Sequence, residues 1–155
     1  MKLYLMAIGD KLPAWAETAC AEYVRRMPRE ARVEIVAVKP EKRTGQSAEQ
    51  VRAAEAVRLL ERCPKGALLV ALDEGGRQVS TRGLAELLAA WQTAGRDVAL
   101  LIGGADGLSA EVLARADLRL ALSRLTLPHA LARVVLTEQL YRAASLLAGH
   151  PYHRD

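Results

Sequence analysis

Val98-Ala99-Leu100-Leu101-Ile102-Gly103-Gly104-Ala105-Asp106-Gly107 is the stretch on which the fold turns. Five consecutive apolar residues with no polar alternation describe a strand buried on both faces, the pattern of a parallel sheet covered by helices. The run passes directly into residues 103–107, where Gly103, Gly104 and Gly107 surround Asp106. A tight strand-to-helix turn explains part of this cluster. A ligand approaching the backbone explains more, because glycine has no Cβ to hold it off. The cluster is not G-x-G-x-x-G and no Walker pattern occurs, so neither a dinucleotide fingerprint nor a P-loop is supported.

Outward from this stretch the same alternation of elements repeats. Residues 67–72 form a second doubly buried run, bounded by Pro64-Lys65-Gly66 and by Asp73. Residues 3–8, 33–38 and 118–122 read as further strands, and 73–79, with Gly75 and Gly76, as a turn. Between the strands lie helices. One spans about 13–27, with Trp15, Ala19 and Tyr23 on one face and Pro28 at its end. A second runs from Ser47 to about 62, where Ser47 and Gln50 have capping-box spacing. A third covers 81–94 with Leu84, Leu87, Leu88 and Trp91 on one side, and a short one follows Ser109 to about Ala116. This succession predicts a single α/β domain over residues 1–155, with a mostly parallel sheet of about five strands flanked by helices. Ligands of such sheets bind past the C-terminal strand ends, which here means the loops after Leu72, Ile102 and Leu122.

The chain beyond Leu122 is the richest in reactive groups. Ser123, Arg124, Leu125, Thr126 and Leu127 follow a strand end. Leu125 and Leu127 would wall an apolar slot that, with Leu72 and Gly104, accepts an adenine and a short polar chain. Thr126 is placed to cap a long helix with Pro128 in its first turn. Apolar residues recur at Leu131, Val134, Val135, Leu140 and Ala144, and Gly149 with Pro151 closes the helix. His129 and Arg133, four apart, point to nearly the same side. A cation at a helix N-terminus opposes the macrodipole, so His129 is expected to be neutral or hydrogen-bonded. Glu138 and Arg142 read as a surface helix pair contributing about 0.3–0.5 kcal/mol. All three histidines, His129, His150 and His153, lie in this region. No third ligand accompanies His150 and His153 at metal spacing, so no metal is expected.

Composition sets the remaining bounds. The 155 residues carry a formal net charge of +4, which permits a polyanionic partner such as RNA without requiring one. Lys39, Lys42, Arg43 and Gly45 lie in a loop over 39–46, read either as a solvated surface loop or as a phosphate-contacting flap. Cys20 and Cys63 make no disulfide framework or zinc spacing, so the expected compartment is the reducing cytoplasm. The apolar start is too short for a signal peptide or a membrane span.

Taken together, Leu72-Asp73-Glu74-Gly75, Ile102-Gly103-Gly104-Ala105-Asp106-Gly107, Leu122-Ser123-x-Leu125-Thr126-Leu127-Pro128-His129, Glu138-Gln139-Leu140-Tyr141-Arg142-Ala143 and His150-Pro151-Tyr152-His153-Arg154 resemble the RlmH family of SPOUT methyltransferases over essentially the whole chain. These enzymes methylate N3 of pseudouridine 1915 in 23S rRNA of the large ribosomal subunit. The resemblance implies S-adenosyl-L-methionine as donor and a homodimer with its active site near the subunit interface. It also implies a C-terminal trefoil knot, which no periodicity reveals and which runs against the general rule that chains are unknotted. On the same resemblance Leu72, Gly103, Gly104, Leu122, Ser123, Arg124, Leu125, Thr126, Leu127 and Pro128 contact the cofactor. His129, Arg133, Tyr152, His153 and Arg154 then face the RNA or the transferring methyl group. His129 or His153 would take the acceptor's proton, Arg133 or Arg154 would stabilise the anionic base, and Tyr152 would stack on it. Two other readings stay open at this point: a non-catalytic ribosome- or RNA-binding protein, and an α/β enzyme acting on a different nucleotide.

Overall fold

The computed structural model describes residues 1–9 and 11–154, the side chains of His153 and Arg154 excepted. Five strands, β1 (Lys2–Ile8), β2 (Arg32–Val38), β3 (Leu68–Gln78), β4 (Val98–Ile102) and β5 (Leu118–Ala121), pair entirely in parallel in the order β2-β1-β4-β3-β5. Five helices connect and cover them: α1 (Ala14–Arg26), α2 (Ala48–Arg62), α3 (Thr81–Ala94), α4 (Ala110–Arg115) and α5 (His129–Leu147). Short 3₁₀ turns span Arg29–Ala31 and Pro151–Arg154.

Strand periodicity decides which helices lie on which face. Leu3, Leu5 and Ala7 of β1 and Val98, Leu100 and Ile102 of β4 enter the core shared with Leu84, Leu88 and Trp91 of α3 and Leu136, Leu140 and Ala143 of α5. The alternate residues Met6, Ile8, Ala99 and Leu101 enter a second core with Ala56 and Leu59 of α2 and Val112 of α4. All five residues of β4 are buried, as its unbroken apolar run requires. Each fully buried leucine here contributes about 1.5–3 kcal/mol relative to exposure. The Ser47–Gln50 capping box forms in both directions, and Gly149, at φ +72°, ends α5 while the His150 amide donates to the Ser145 carbonyl at 2.8 Å.

Four expectations change. The segment 73–79 is not a turn between elements but a bulge carrying β3 onward: Leu72 and Arg77 both pair with Leu120. Gly76 makes this possible, because a Cβ there would lie 2.7 Å from the backbone of Arg119 and Leu120. The face of α1 bearing Trp15 looks outward, with Trp15 57% exposed, while Ala16 and Cys20 are buried. Thr126 does not cap α5. Pro128 occupies the N-cap position, with no side-chain cap bond. Finally, α5 buries Arg133, Leu136, Thr137, Leu140, Ala143, Ala144 and Ser145, whereas Leu131 is exposed and Val134 and Val135 are half-buried. The helix is packed by both α1 and α3, so its buried surface is wider than one apolar stripe. Thr137 meets that burial internally, its Oγ1 donating to the Arg133 carbonyl at 2.6 Å.

Candidate active site

The parallel sheet places the C-terminal ends of β3, β4 and β5 side by side, and the segments leaving them form one cleft of about 540 Å³. Leu72 comes from β3, Ile102, Gly103 and Gly104 from the β4 exit, and Leu122, Ser123, Leu125, Thr126, Leu127 and Pro128 from the segment before α5. His129 and Ala132 close it from the first turn of α5. Nine of the ten residues expected at a cofactor site thus line one cavity. Arg124 does not. Sequence reading did not place Asp73, Glu74, Ala105, Asp106, Gly107, Leu108 or Ala132 on this wall, although the first five lie inside the motifs that led to it.

The glycine loop owes its shape to the missing side chains. The Gly107 amide donates to the Gly104 carbonyl at 3.0 Å, closing the loop on itself. A Cβ on Gly103 would lie 2.5 Å from the Gly107 carbonyl carbon, so only glycine fits where the two limbs touch. At Gly104 a Cβ would meet Ile8 Cγ2 at 3.0 Å and the two carboxyl oxygens of Glu55 at 3.2 and 3.3 Å. Glu55 is a buried carboxyl on α2. Its Oε2 accepts from the Glu41 amide at 3.2 Å, and its Oε1 has no partner. Burial pushes its pKa upward, against the opposing effect of that amide bond.

His129 and Arg133 meet as their spacing predicts. Arg133 Nε donates to His129 Nε2 at 2.9 Å. With Nε2 accepting, the neutral ring carries its proton on Nδ1. Burial, with the Arg133 charge as the second cause, holds His129 below its ordinary pKa, so the imidazole is neutral and pinned as one tautomer. Arg133 is 2% exposed; its Nη2 donates to the Gly9 carbonyl at 2.7 Å and reaches that of Ile8 at 3.5 Å. Gly9, at φ +127°, turns the chain out of β1 directly over this guanidinium: a Cβ would lie 3.2 Å from Nη2. Burial pulls the Arg133 pKa below the usual guanidinium value, although an arginine keeps its charge in proteins. The result is a fixed buried cation one residue behind the cleft wall.

Tyr152 lies elsewhere. Its hydroxyl donates to Glu138 Oε1 at 3.0 Å, its carbonyl accepts from Arg142 Nη1 at 3.5 Å, and its ring packs at a tilt of 59° against that of Tyr141, centroids 4.6 Å apart. Burial and bonds to Tyr23 and Glu138 raise its pKa, so the phenol stays neutral. Glu138 and Arg142 are consequently not the surface pair expected: their side chains are only 17% and 20% exposed, and they clasp the tail. At 1.5 Å per residue, Glu138 and Arg142 stand roughly 14–20 Å along α5 from His129. Within one chain, then, His129 lines the cleft, Arg133 stands buried behind it, and Tyr152 belongs to neither. The side chains of His153 and Arg154 lie outside the described residues. No cluster of three or more His, Cys, Asp or Glu suited to a metal occurs among the described residues, and no helix there is long and apolar enough to cross a membrane.

Comparison with known proteins bears on the chemistry of this cleft. The family described as "Predicted SPOUT methyltransferase" matches residues 1–153. A ribosomal RNA large subunit methyltransferase H from Methylibium petroleiphilum is 56% identical over 156 residues, covering 100% of both chains. One of the same name from Burkholderia vietnamiensis is 55% identical, covering 99% of each. Among solved structures, a probable methylase family protein from Haemophilus influenzae superposes with a TM-score of 0.54 at 14% identity, over 95% of this chain and 66% of the other. A structure described as giving insights into 2-OH methylation of C/U34 on tRNA superposes at 0.53 and 19% identity, over 96% and 98%. At these identities the two structures speak for the fold alone.

Proposed function

Because the chain belongs to the SPOUT methyltransferase family, we propose that it transfers a methyl group from S-adenosyl-L-methionine to N3 of pseudouridine 1915 in 23S rRNA of the large ribosomal subunit. The observation that carries this reading is the cleft at the ends of β3, β4 and β5, with a neutral His129 held by a buried arginine behind it. The full-length relatives named ribosomal RNA large subunit methyltransferase H support the substrate. Residues 1–155 form the methyltransferase domain, and an enzyme acting on ribosomal RNA works in the cytoplasm.

The donor fits the residues present. Leu72, Leu122, Leu125 and Leu127 offer apolar walls for an adenine, and Gly103 and Gly104 let a ligand lie on backbone. Ser123, Thr126 and the uncapped amides of the first turn of α5 suit its polar and carboxylate groups. Held by these residues, the donor would supply an electrophilic methyl on a sulfonium to the acceptor N3. The protein's work is alignment and management of the imide proton. His129 Nε2 is taken up by Arg133, so His129 is cast as an oriented residue of the cleft wall rather than as the base. Arg133 supplies positive charge near the acceptor, favouring the deprotonated imide. Proton removal falls to His153, charge stabilisation is shared with Arg154, and base stacking falls to Tyr152.

Tyr152 reaches a cleft only if the protein is a homodimer and each tail serves the partner subunit. The outward groove of Ala14, Trp15, Thr18, Ala19, Glu22, Tyr23 and Arg26 adjoins the Tyr152 clasp and supports pairing along α1 and α5. The test is methyl transfer from labelled donor to ribosomes lacking the modification. Activity in the parent and its loss in His153→Ala/Arg154→Ala, with donor binding retained, is the expected result. Full transfer by that variant would remove the tail from the mechanism, and no donor binding by the parent would remove the cleft.

A further inference from the structure

The basic loop 39–46 is neither a free flap nor simply solvated. Two residues of α2 hold it: Arg58 Nη1 donates to the Lys39 carbonyl at 3.0 Å and Nη2 to Glu41 at 3.2 Å, while Glu55 takes the Glu41 amide. The loop in turn holds the glycine loop. Arg43 grips Asp106 with two parallel bonds, Nη1 to Oδ2 at 2.6 Å and Nη2 to Oδ1 at 3.1 Å. Arg52 of α2 adds a long bond, 3.4 Å, to the Asp106 carbonyl. Asp106 is the recessed partner, its side chain 15% exposed against 60% for Arg43. Two positions back, both Glu55 carboxyl oxygens lie where a Cβ on Gly104 would point, and Oε1 is the single buried side-chain N or O atom without a partner among the described residues. Neither Arg43 nor Glu55 lines the cleft, whereas Asp106 and Gly104 do.

We infer that Arg43 and Glu55 are positioning residues for the methyl donor, bracing the 103–107 loop from behind so that the segment after β2 sets donor affinity. The inference rests on reading the cleft as the donor pocket. A two-bond arginine–carboxylate pair fixes orientation as well as distance, and Asp106 is where the glycine loop would otherwise swing. Without Arg43 the loop keeps its own Gly107–Gly104 bond but samples conformations that a donor must select against, which lowers apparent affinity in proportion. The competing role for Arg43 is direct contact with RNA phosphate. That role predicts the opposite pattern of losses.

The experiment is calorimetry of the full chain with S-adenosyl-L-methionine, paired with retention on unmodified ribosomes at fixed salt. Arg43→Ala and Asp106→Ala should each weaken donor binding by about three- to tenfold, as expected for a half-exposed charged pair. The double variant should be little worse than the weaker single, and Arg43→Asp/Asp106→Arg should recover most of the loss. KM for the donor should rise with kcat at saturation held, and ribosome retention of Arg43→Ala should stay at the parental level. Glu55→Gln, which keeps shape and acceptor, should hold donor affinity within about twofold, and Glu55→Ala should not. Parental donor affinity in Arg43→Ala, or a loss confined to ribosome retention, would overturn the brace while leaving the donor pocket intact. No donor binding by the parent protein would instead overturn the pocket itself.

Discussion

Alanine placed in turn at Gly103, Gly104 and Gly107 should separate loop geometry from loop strain. A Cβ at Gly103 would stand 2.5, 2.7 and 2.8 Å from the Gly107 carbon, the Gly107 oxygen and the Leu108 nitrogen. All three are backbone, and ordinary contact distances begin near 3.5 Å, so the two limbs must part by about 1 Å. That displacement breaks the Gly107–Gly104 bond and drags Gly103 from the His129 ring. Misplacement on this scale typically costs about a hundredfold, and overpacking adds about 1–3 kcal/mol of destabilisation. At Gly104 the crowding atoms are side chains of Ile8 and Glu55 at 3.0–3.3 Å, which can yield by a few tenths of an ångström. A loss in donor affinity nearer tenfold is expected. At Gly107 nothing lies within 4 Å, but φ is +78°. Alanine there should cost about 1–2 kcal/mol of stability through the left-handed backbone and leave affinity nearly unchanged. Calorimetry with the donor and thermal melts read the two quantities separately. Parental affinity in Gly103→Ala, or an equal loss in Gly107→Ala, would refute the claim that contact between the limbs shapes the pocket.

Three further outcomes follow from named contacts. Arg133→Met should destabilise the protein by about 2–4 kcal/mol, because the Gly9 carbonyl and His129 Nε2 lose their donor in a buried setting. The His129 titration, followed by NMR, should move up toward its ordinary 6.5 without reaching it, since the arginine charge is the smaller of the two depressing causes; an unmoved titration would deny the coupling. Glu55 binds its proton to higher pH folded than unfolded. Its contribution to stability is therefore present below the ordinary 4.5 and is lost as pH rises through the folded value. Glu55→Gln should accordingly melt above the parent at neutral pH, with the gap closing near pH 4, and a gap constant across that range would exclude the linkage. Trp15→Arg should shift sedimentation toward the monomer and lower methyl transfer, with donor affinity per chain kept; a dimer as stable as the parent's would remove the α1 groove from the interface.

What the sequence revealed and what it concealed divide along physical lines. The strands were legible because a parallel sheet under helices needs residues apolar on both faces, and β4 and the first half of β3 satisfy that within a few positions. The cleft was legible for a related reason: topology requires the loops after β3, β4 and β5 to converge, so residues far apart in sequence could be expected to line one cavity. Burial of polar groups was not legible, because it depends on what arrives from elsewhere in the chain. Arg133 looks like any exposed helix arginine until Gly9 turns the end of β1 over it. Glu55 sits on α2 among arginines and glutamates and differs from Glu49 or Glu61 only in facing Gly104. The tail shows the same limit at larger scale. His129 and Tyr152 belong to one continuous reactive stretch of sequence, yet a rigid helix of 19 residues lies between them, and rigidity turns proximity in sequence into separation in space. In the proposed homodimer a composite site across two subunits would resolve this with no change in either half: twofold pairing would bring the tail end of α5 in one chain to the cleft end of α5 in the other. Each half can then be tested alone, since donor binding should depend on His129, Gly103 and Arg43 and be indifferent to the tail. Transfer should depend on both.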